Sequence, residues 1–344
     1  MRIGIAVGLP VAVEALRRVI ATRRQHDIVW SAVSGKAAVA ACVRERPDLI
    51  LMDLSLPELD GVETTRLIMS AAPCAIVIMT ANIGANASRV YEAMGYGALD
   101  VVMVPEAGPI ESSAESARLL AKIETIRKLV DAGAGSGPDP RPKAHAKHVP
   151  EPDLVAIGAS AGGPSALAVL LSGLPRSFPA AVVIVQHVDQ QFTAGMARWL
   201  SGQSPMPVRV AQEGEAPAGG SVLLAATEGH LNVNRAGRLG YTPEPADLIY
   251  RPSIDVFFRS VGRNWRGRAV GVVLTGMGRD GALGLKTLRE AGWPTIAQDE
   301  RSSAVYGMPK AAAALGAADV LPLDRIAPRL NALCRIPNAR ELAR

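Results

Sequence analysis

"LVAIGASAGGPSAL", residues 154–167, decides how the second half of this chain folds. Its opening, Leu154 to Ala159, is apolar throughout and short enough to be a buried strand. The run breaks at Ser160, Ala161, Gly162 and Gly163, and Pro164 then opens a helix-like pattern, as proline does at a first helical position. Strand, glycine-rich turn and helix together make the first unit of a parallel α/β sheet. A turn of this kind serves one of two ends. It cradles a phosphate on backbone N–H groups, or it exposes a nucleophile at the tip of a strand.

Downstream, "AAVVIVQH" (180–187) and "RAVGVVLTG" (268–276) read as further buried strands, each followed by helical periodicity. The stretch between them, "APAGGSVLLAATEGHLNVNRAGRLGYTPEP" (216–245), is rich in turn residues and suits antiparallel strands. Upstream, "IGIAV" (3–7), "IVWSAV" (28–33), "DLILMD" (48–53), "AIVIMT" (75–80) and "DVVMV" (100–104) alternate with amphipathic stretches such as "AVEALRRVIATRR" and "GKAAVAACVRER". Five such units make a small doubly wound domain. A helix-like segment, "SARLLAKIETIRKLV" (116–130), leads into "DAGAGSGPDPRPKAHAKHVPEPD" (131–153), which is dense in Gly, Pro and charge and has no periodicity. The expected organisation is an N-terminal α/β domain over 1–125, a linker over 126–152 and a C-terminal doubly wound α/β domain over 153–340.

Composition bounds the function. A chain of 344 residues, 49% hydrophobic and 20% charged, has material for two packed cores. No apolar run reaches the ~18 residues of a membrane span, so no membrane insertion is expected. The start, "MRIGIAVGLPVAVEALRRVI", has the basic-then-apolar flavour of a signal peptide, but Pro10 and Glu14 interrupt it, and it reads as a first strand and helix. Cys42, Cys74 and Cys334 are odd in number, far apart in sequence and lack CxxC spacing, which argues against a disulfide framework or a zinc site and suits a reducing, cytoplasmic compartment. The net charge of +5 is scattered and aromatics are 4%, so no nucleic-acid partner is expected and an acidic protein partner suits the surface better.

Three polar residues, Ser160, His187 and Asp280, lie just past the ends of apolar strands. Ligands of open α/β sheets gather at those ends. A serine hydroxyl is a weak nucleophile until a base takes its proton, and an aspartate can fix the imidazole tautomer and stabilise its cation. The small neighbours Ala161 and Gly162 leave room for a substrate carbonyl, and N–H groups opening the next helix can face an oxyanion. Met277, between two glycines, is a pocket-lining candidate. His230 is the rival base or a residue beside the pocket.

Each residue also has a plainer account. Ser160 can cap the helix near Pro164, His187 can be a packed strand-end residue, Asp280 can cap its own following helix, and Met277 can be ordinary core. A nucleotide site keeps some support from "GASAGG" and from Asp189 as a ribose-binding acid, but it lacks GK[ST] and does not account for the Asp280 loop.

At this point the motifs resemble a known family. "AIGASAGGPSAL", "VVIVQHVDQQF", "VVLTGMGRDGALGLK" and "AQDERSSAVYGMPKAA" are together similar to the protein-glutamate methylesterases of bacterial chemotaxis, the CheB family. The resemblance implies that Ser160, His187 and Asp280 are the catalytic serine, histidine and aspartate. The implied reaction is hydrolysis of glutamyl methyl esters on chemoreceptors, with glutamine deamidation as a frequent second activity and no cofactor for the ester chemistry. The N-terminal domain resembles a response-regulator receiver, which implies a sensor histidine kinase as partner. The wording of "MRIGIAVGLPVAVEALRRVI", "PCAIVIMT" and "YEAMGYGALD" is most similar to the WspF branch, which serves a surface-behaviour pathway.

The chain also departs from the family pattern. Ala161 stands where threonine is frequent, and "LLAATEGH" lacks the usual proline-glycine turn before His230. The receiver departs more. Its phosphoacceptor position survives as Asp53 and its hydroxyl switch as Thr80, but Val7 and Gly8 replace the acidic pair and Val104 replaces the lysine. Phosphoryl transfer to a carboxylate brings negative charges together and needs a hard cation held by oxygens. Mg²⁺ binding and phosphorylation at Asp53 are therefore expected to be weak or absent.

Overall fold

A computed structural model describes residues 1–81, 83–103, 114–131, 153–225, 229–315 and 317–334. The chain divides into two compact units, Met1–Ser136 and Gly137–Arg344.

The first unit holds β1 (Arg2–Ala6), α1 (Pro10–Ala21), β2 (Asp27–Ala32), α2 (Gly35–Arg44), β3 (Leu49–Asp53), α3 (Gly61–Ala71), β4 (Ala75–Thr80), α4 (Ile83–Gly95), β5 (Asp100–Met103) and α5 (Ala114–Asp131). The strands form one parallel sheet in the order β2-β1-β3-β4-β5. Helix α1 packs against α5, while α2, α3 and α4 pack in series, so the sheet is covered on both faces. That is why β3 and β4 read as unbroken apolar runs. Ile3, Ile5, Leu16, Leu49, Leu51, Val77 and Ile123 join in one core cluster. Pro10, which interrupts any leader-like pattern, sits in the first turn of α1.

Two expectations change in this unit. The segment expected to begin the linker at 126 is still helical, because α5 runs to Asp131 and buries Ile126. Residues 132–152, like Val104, lie outside the described residues. The cysteines are also not all apart: Cys42 Sγ lies 4.0 Å from Cys74 Sγ, both as free thiols. Thirty-two residues of sequence hide this contact, which helix α2 and the start of β4 create.

The second unit is larger. Strands β6 (Leu154–Ala159), β7 (Ala181–Gln186), β8 (Val208–Val210), β9 (Val222–Leu224), β12 (Ala269–Val273), β13 (Thr295–Gln298) and β14 (Asp319–Leu321) form a parallel sheet ordered β14-β13-β12-β6-β7-β9-β8. The turn-rich middle yields the expected antiparallel pair, β10 (His230–Val233) with β11 (Leu239–Thr242). Helices α6 (Gly163–Ser172), α7 (Gln190–Gln203), α8 (Ile254–Asn264), α9 (Ala282–Glu290), α10 (Met308–Ala314) and α11 (Leu323–Leu333) complete it. Phe257 and Phe258 of α8 are fully buried in a core shared with Val183, Leu223, Leu231 and Leu285.

From β6 the chain first builds outward through β7 and β9, then returns to β12 on the opposite side. The strand order therefore switches between β6 and β12. In open α/β sheets a crevice opens at that switch, outside the carboxyl ends of the strands. The turn after β6, the end of β7 and the loop after β12 all lie at this place.

Candidate active site

The quoted turn is held from several sides. Ser160 N–H donates to the Thr275 carbonyl at 3.0 Å, and Gly163 N–H donates to the Ser160 carbonyl at 2.8 Å. The buried Gln186 amide also donates to the Ser160 carbonyl at 2.9 Å. Thr275 adds a hydroxyl bond to the Ala161 carbonyl at 2.8 Å. Gly162 takes φ +75° as the residue capping α6, a conformation that favours glycine. The helix therefore has no side-chain cap, and Ser160 is not spent on that role. A Cβ on Gly276 would sit 2.7 Å from the Ser160 Cβ, so the chain after β12 runs directly behind this serine. The N–H groups of Ala161 and Gly162 lie at the start of α6.

His187 follows β7 as Ser160 follows β6. Ala159 and Gln186 are partners in the parallel register, so the two residues leave adjacent strands at one level. The imidazole Nε2 is 2.8 Å from Asp280 Oδ2, with both side chains 8% exposed. Its other nitrogen, Nδ1, is buried and has no hydrogen-bond partner among the described residues. Tyr250 stacks on the imidazole face, ring centroids 3.8 Å apart and planes within 9°.

Asp280 collects donors. Besides His187, its oxygens accept from the Ser253 hydroxyl at 2.9 Å and from the N–H groups of Ile254 at 2.7 Å, Asp255 at 3.0 Å and Gly281 at 3.0 Å. Ile254 and Asp255 open α8, so the carboxylate sits at the positive end of a helix dipole. Asp280 was a candidate cap for the helix that follows it. It instead meets the N-terminus of α8, and α9 begins from Gly281 with no side-chain cap. Burial pushes its carboxyl upward, but the hydrogen bond and charge of His187, with the N–H groups of Asp255 and Ile254, outweigh that and hold it below the ordinary carboxylate range. Beside it, Asp255 is raised to about 7, by burial first and by the charge of Asp280 second.

His230 does not line an open pocket. It is fully buried, with Nδ1 accepting from Ser253 N–H at 3.0 Å and Nε2 facing the Pro245 carbonyl at 3.0 Å. Both ring nitrogens are committed, so it is no rival base; it braces the segment between Pro245 and Ser253. Met277 is half-buried at the loop behind Ser160, and its carbonyl accepts from the Tyr250 hydroxyl at 3.0 Å. Asp189 caps α7 by accepting from Gln191 N–H at 3.2 Å.

Tyr250, Ser253, Asp255, Gln186 and Thr275 were not singled out from sequence. "PSID" before an apolar periodic run carried a readable cap signal for Ser253. Tyr250, in the polar stretch before it, carried none.

These features have a counterpart among known proteins. A family model for CheB methylesterase matches residues 155–330. The chain belongs to the CheB methylesterase family. Its relatives include the protein-glutamate methylesterase/protein-glutamine glutaminase 4 of Burkholderia thailandensis, 59% identical over 97% of both chains. The corresponding protein 2 of Cupriavidus metallidurans is 55% identical, over 97% of this chain and 98% of its own. The crystal structure of the Thermotoga maritima CheB methylesterase catalytic domain superposes with a TM-score of 0.51 at 33% identity, covering 54% of this chain and all of that one. A response regulator receiver model matches residues 9–108. The protein is thus a CheB-type hydrolase carrying a receiver domain.

In this CheB methylesterase the receiver's strand ends are sparse. Asp53, closing β3, accepts Ser55 N–H at 2.9 Å. At the end of β1, Val7 is buried in the core and Gly8 follows it. Thr80, closing β4, is buried and accepts from the Asn86 amide at 3.2 Å. Among the described residues no group of three His, Cys, Asp or Glu side chains could hold a metal ion. One carboxylate beside a valine and a glycine does not fit a cation that asks for several hard oxygens. No helix among the described residues is long and apolar enough to cross a membrane.

Proposed function

We propose that the chain hydrolyses glutamyl methyl esters on chemoreceptor-like proteins, with Ser160 as nucleophile, His187 as base and Asp280 as the group that orients and stabilises it. The observation that carries this is the 2.8 Å contact of His187 Nε2 with Asp280 at strand ends level with Ser160. Nε2–H donates to the carboxylate, which leaves Nδ1 as the basic nitrogen. Ser160 Oγ attacks the ester carbonyl while its proton passes to His187. Asp280, held by four further donors, stabilises the imidazolium. The N–H groups of Ala161 and Gly162 receive the oxyanion. Collapse of the tetrahedral intermediate expels methoxide, which leaves as methanol with the histidine's proton. Water, deprotonated by His187, then attacks the acyl-serine, and Ser160 departs as the carboxylate product forms. With a glutamine substrate the same steps release ammonia, the second activity in the relatives' names. No cofactor enters this scheme.

The receiver acts in this proposal as a docking or inhibitory module set by a signal other than phosphate. Its support is Asp53 standing beside Val7 and Gly8, with no metal-binding group of three His, Cys, Asp or Glu among the described residues. Weak or absent Mg²⁺ binding follows, and a sensor histidine kinase is then a partner in the pathway rather than an efficient donor to Asp53. The resemblance of the N-terminal wording to the WspF branch supports a pathway of that kind. Loss of the chain should then change surface growth more than swimming, and the reverse pattern would remove it from that branch. A fluorophosphonate probe tests the chemistry: it should label Ser160 in the native chain and fail on His187→Ala. Equal labelling of both would remove the proposed base.

A further inference from the structure

We propose that Tyr250 is a positioning residue for this hydrolysis, its ring locking the His187 imidazole in plane and its hydroxyl tying down the loop behind Ser160. The inference rests on the proposed role of His187.

The need for such a residue follows from what holds the imidazole. A histidine ring turns broadly about its last torsion. The bond from Nε2 to Asp280 fixes one point of it, at 2.8 Å, but a single hydrogen bond leaves rotation about its own axis. Among the described residues the opposite nitrogen has no hydrogen-bond partner to supply a second point. Tyr250 removes that freedom, because a ring parallel within 9° at 3.8 Å meets the imidazole over its whole face. Stacked aromatic pairs gain stability beyond their burial. Here the contact also decides where the lone pair of Nδ1 points.

The other end of the side chain serves the nucleophile's surroundings. The hydroxyl donates to the Met277 carbonyl at 3.0 Å. A Cβ on Gly278 would lie 2.8 Å from that hydroxyl oxygen, so the phenol rests directly on the loop. Two residues earlier, Gly276 passes behind the Ser160 Cβ. One side chain therefore touches the base and the backing of the nucleophile. Burial and the charge of Asp280 raise the phenol's pKa and keep it a donor.

Tyr250 is itself held in place. His230 clamps the Pro245 carbonyl on one side of it and Ser253 N–H on the other. Ser253 continues to Asp280 through its hydroxyl. The path His230, Ser253, Asp280, His187 and Tyr250 thus forms one braced cluster around the imidazole.

The test is steady-state hydrolysis of a methylated receptor by the full chain, comparing wild type, Y250F, Y250L and S160A. Y250F keeps the planar ring and loses one hydrogen bond, worth about 1 kcal/mol or roughly fivefold in kcat. Y250L fills similar space without a flat face and should lower kcat about 100-fold, the scale of a misplaced catalytic group. KM should move less than about threefold in both, since neither change touches the substrate on this account. The downfield proton resonance of the His187–Asp280 hydrogen bond should persist in Y250F and broaden away in Y250L. Y250M replaces Y250L if that variant does not fold. Retention of kcat within about threefold in the aliphatic variant, or equal losses in the phenylalanine and aliphatic variants, overturns the inference. An inactive S160A beside a fully active Y250L sinks the inference alone, whereas an active S160A sinks the catalytic scheme beneath it.

Discussion

The two parallel sheets of this chain end in very different company. At the end of β3 in the first unit, Asp53 accepts one backbone N–H among the described residues, that of Ser55, beside Val7 and Gly8 from the end of β1. At the ends of β6, β7 and β12 in the second, Asp280 alone gathers His187, Ser253 and three backbone N–H groups. Both places are where α/β sheets put ligands. What separates them is the completeness of the polar set. A buried charge needs every partner, because removing one leaves the rest desolvated and unpaired. The edge of the second unit surrounds its carboxylate with donors; at the edge of the first, Asp53 stands beside two residues that bring no side-chain oxygen.

The sharpest way to break this contrast is to remove a charge from the fuller edge. Asp280→Asn should lower kcat by about 10⁴-fold, because the amide presents its N–H face to His187 and the tautomer turns wrong. A loss below about tenfold would mean the cluster at α8 is structural. A smaller effect should follow from His230→Ala, which leaves the buried Ser253 N–H without its acceptor and unbraces the Tyr250 segment. Urea unfolding should report a loss of about 1–3 kcal/mol, accompanied by a lower kcat. Unchanged stability would contradict the bracing role.

The smallest effect concerns pH. Asp255 has its folded-state pKa raised from the model-peptide value of 3.8 to about 7. Between those values the folded chain holds a proton the unfolded chain has released, so this group's contribution to stability declines as pH rises through that window. Asp280 has the opposite sign: its folded pKa is depressed, so its contribution is present above the unfolded value and is lost only as pH falls through the folded value. The two windows are therefore separate. Asp255→Asn should flatten the stability profile between about pH 4 and pH 7 and leave the acid limb below it unchanged. An unaltered slope would show that Asp255 is ionised in the folded chain.

Much of this was legible in the sequence, and the failures have physical causes. Long buried strands were plain because parallel sheets covered on both faces need continuous apolar runs, as in "LVAIGA" and "AIVIMT". Strands β8, β9 and β14 span three residues each, too few for any period to show. Ser160 and His187 could be singled out because each is the first residue after such a strand. Asp280 was visible as a polar residue in a loop, but its partner helix begins 26 residues earlier in the chain, at Ile254, and no local pattern links them. His230 looked like a rival base because a histidine's hydrogen bonds across 15 and 23 residues leave no mark on its neighbours. Tyr250 and the Cys42–Cys74 contact were hidden for the same reason, being products of packing rather than of periodicity.

The most direct test of the contrast is methanol release from methylated receptor by the full chain, with Ser160→Ala and Asp53→Asn measured side by side in the presence of Mg²⁺ and a small phosphodonor. The account predicts that Ser160→Ala loses about 10⁶-fold in rate while Asp53→Asn stays within about threefold of wild type, since removing a triad nucleophile costs orders of magnitude. A phosphodonor-dependent rate that Asp53→Asn abolishes, or a Ser160→Ala protein that still releases methanol near the wild-type rate, would contradict it.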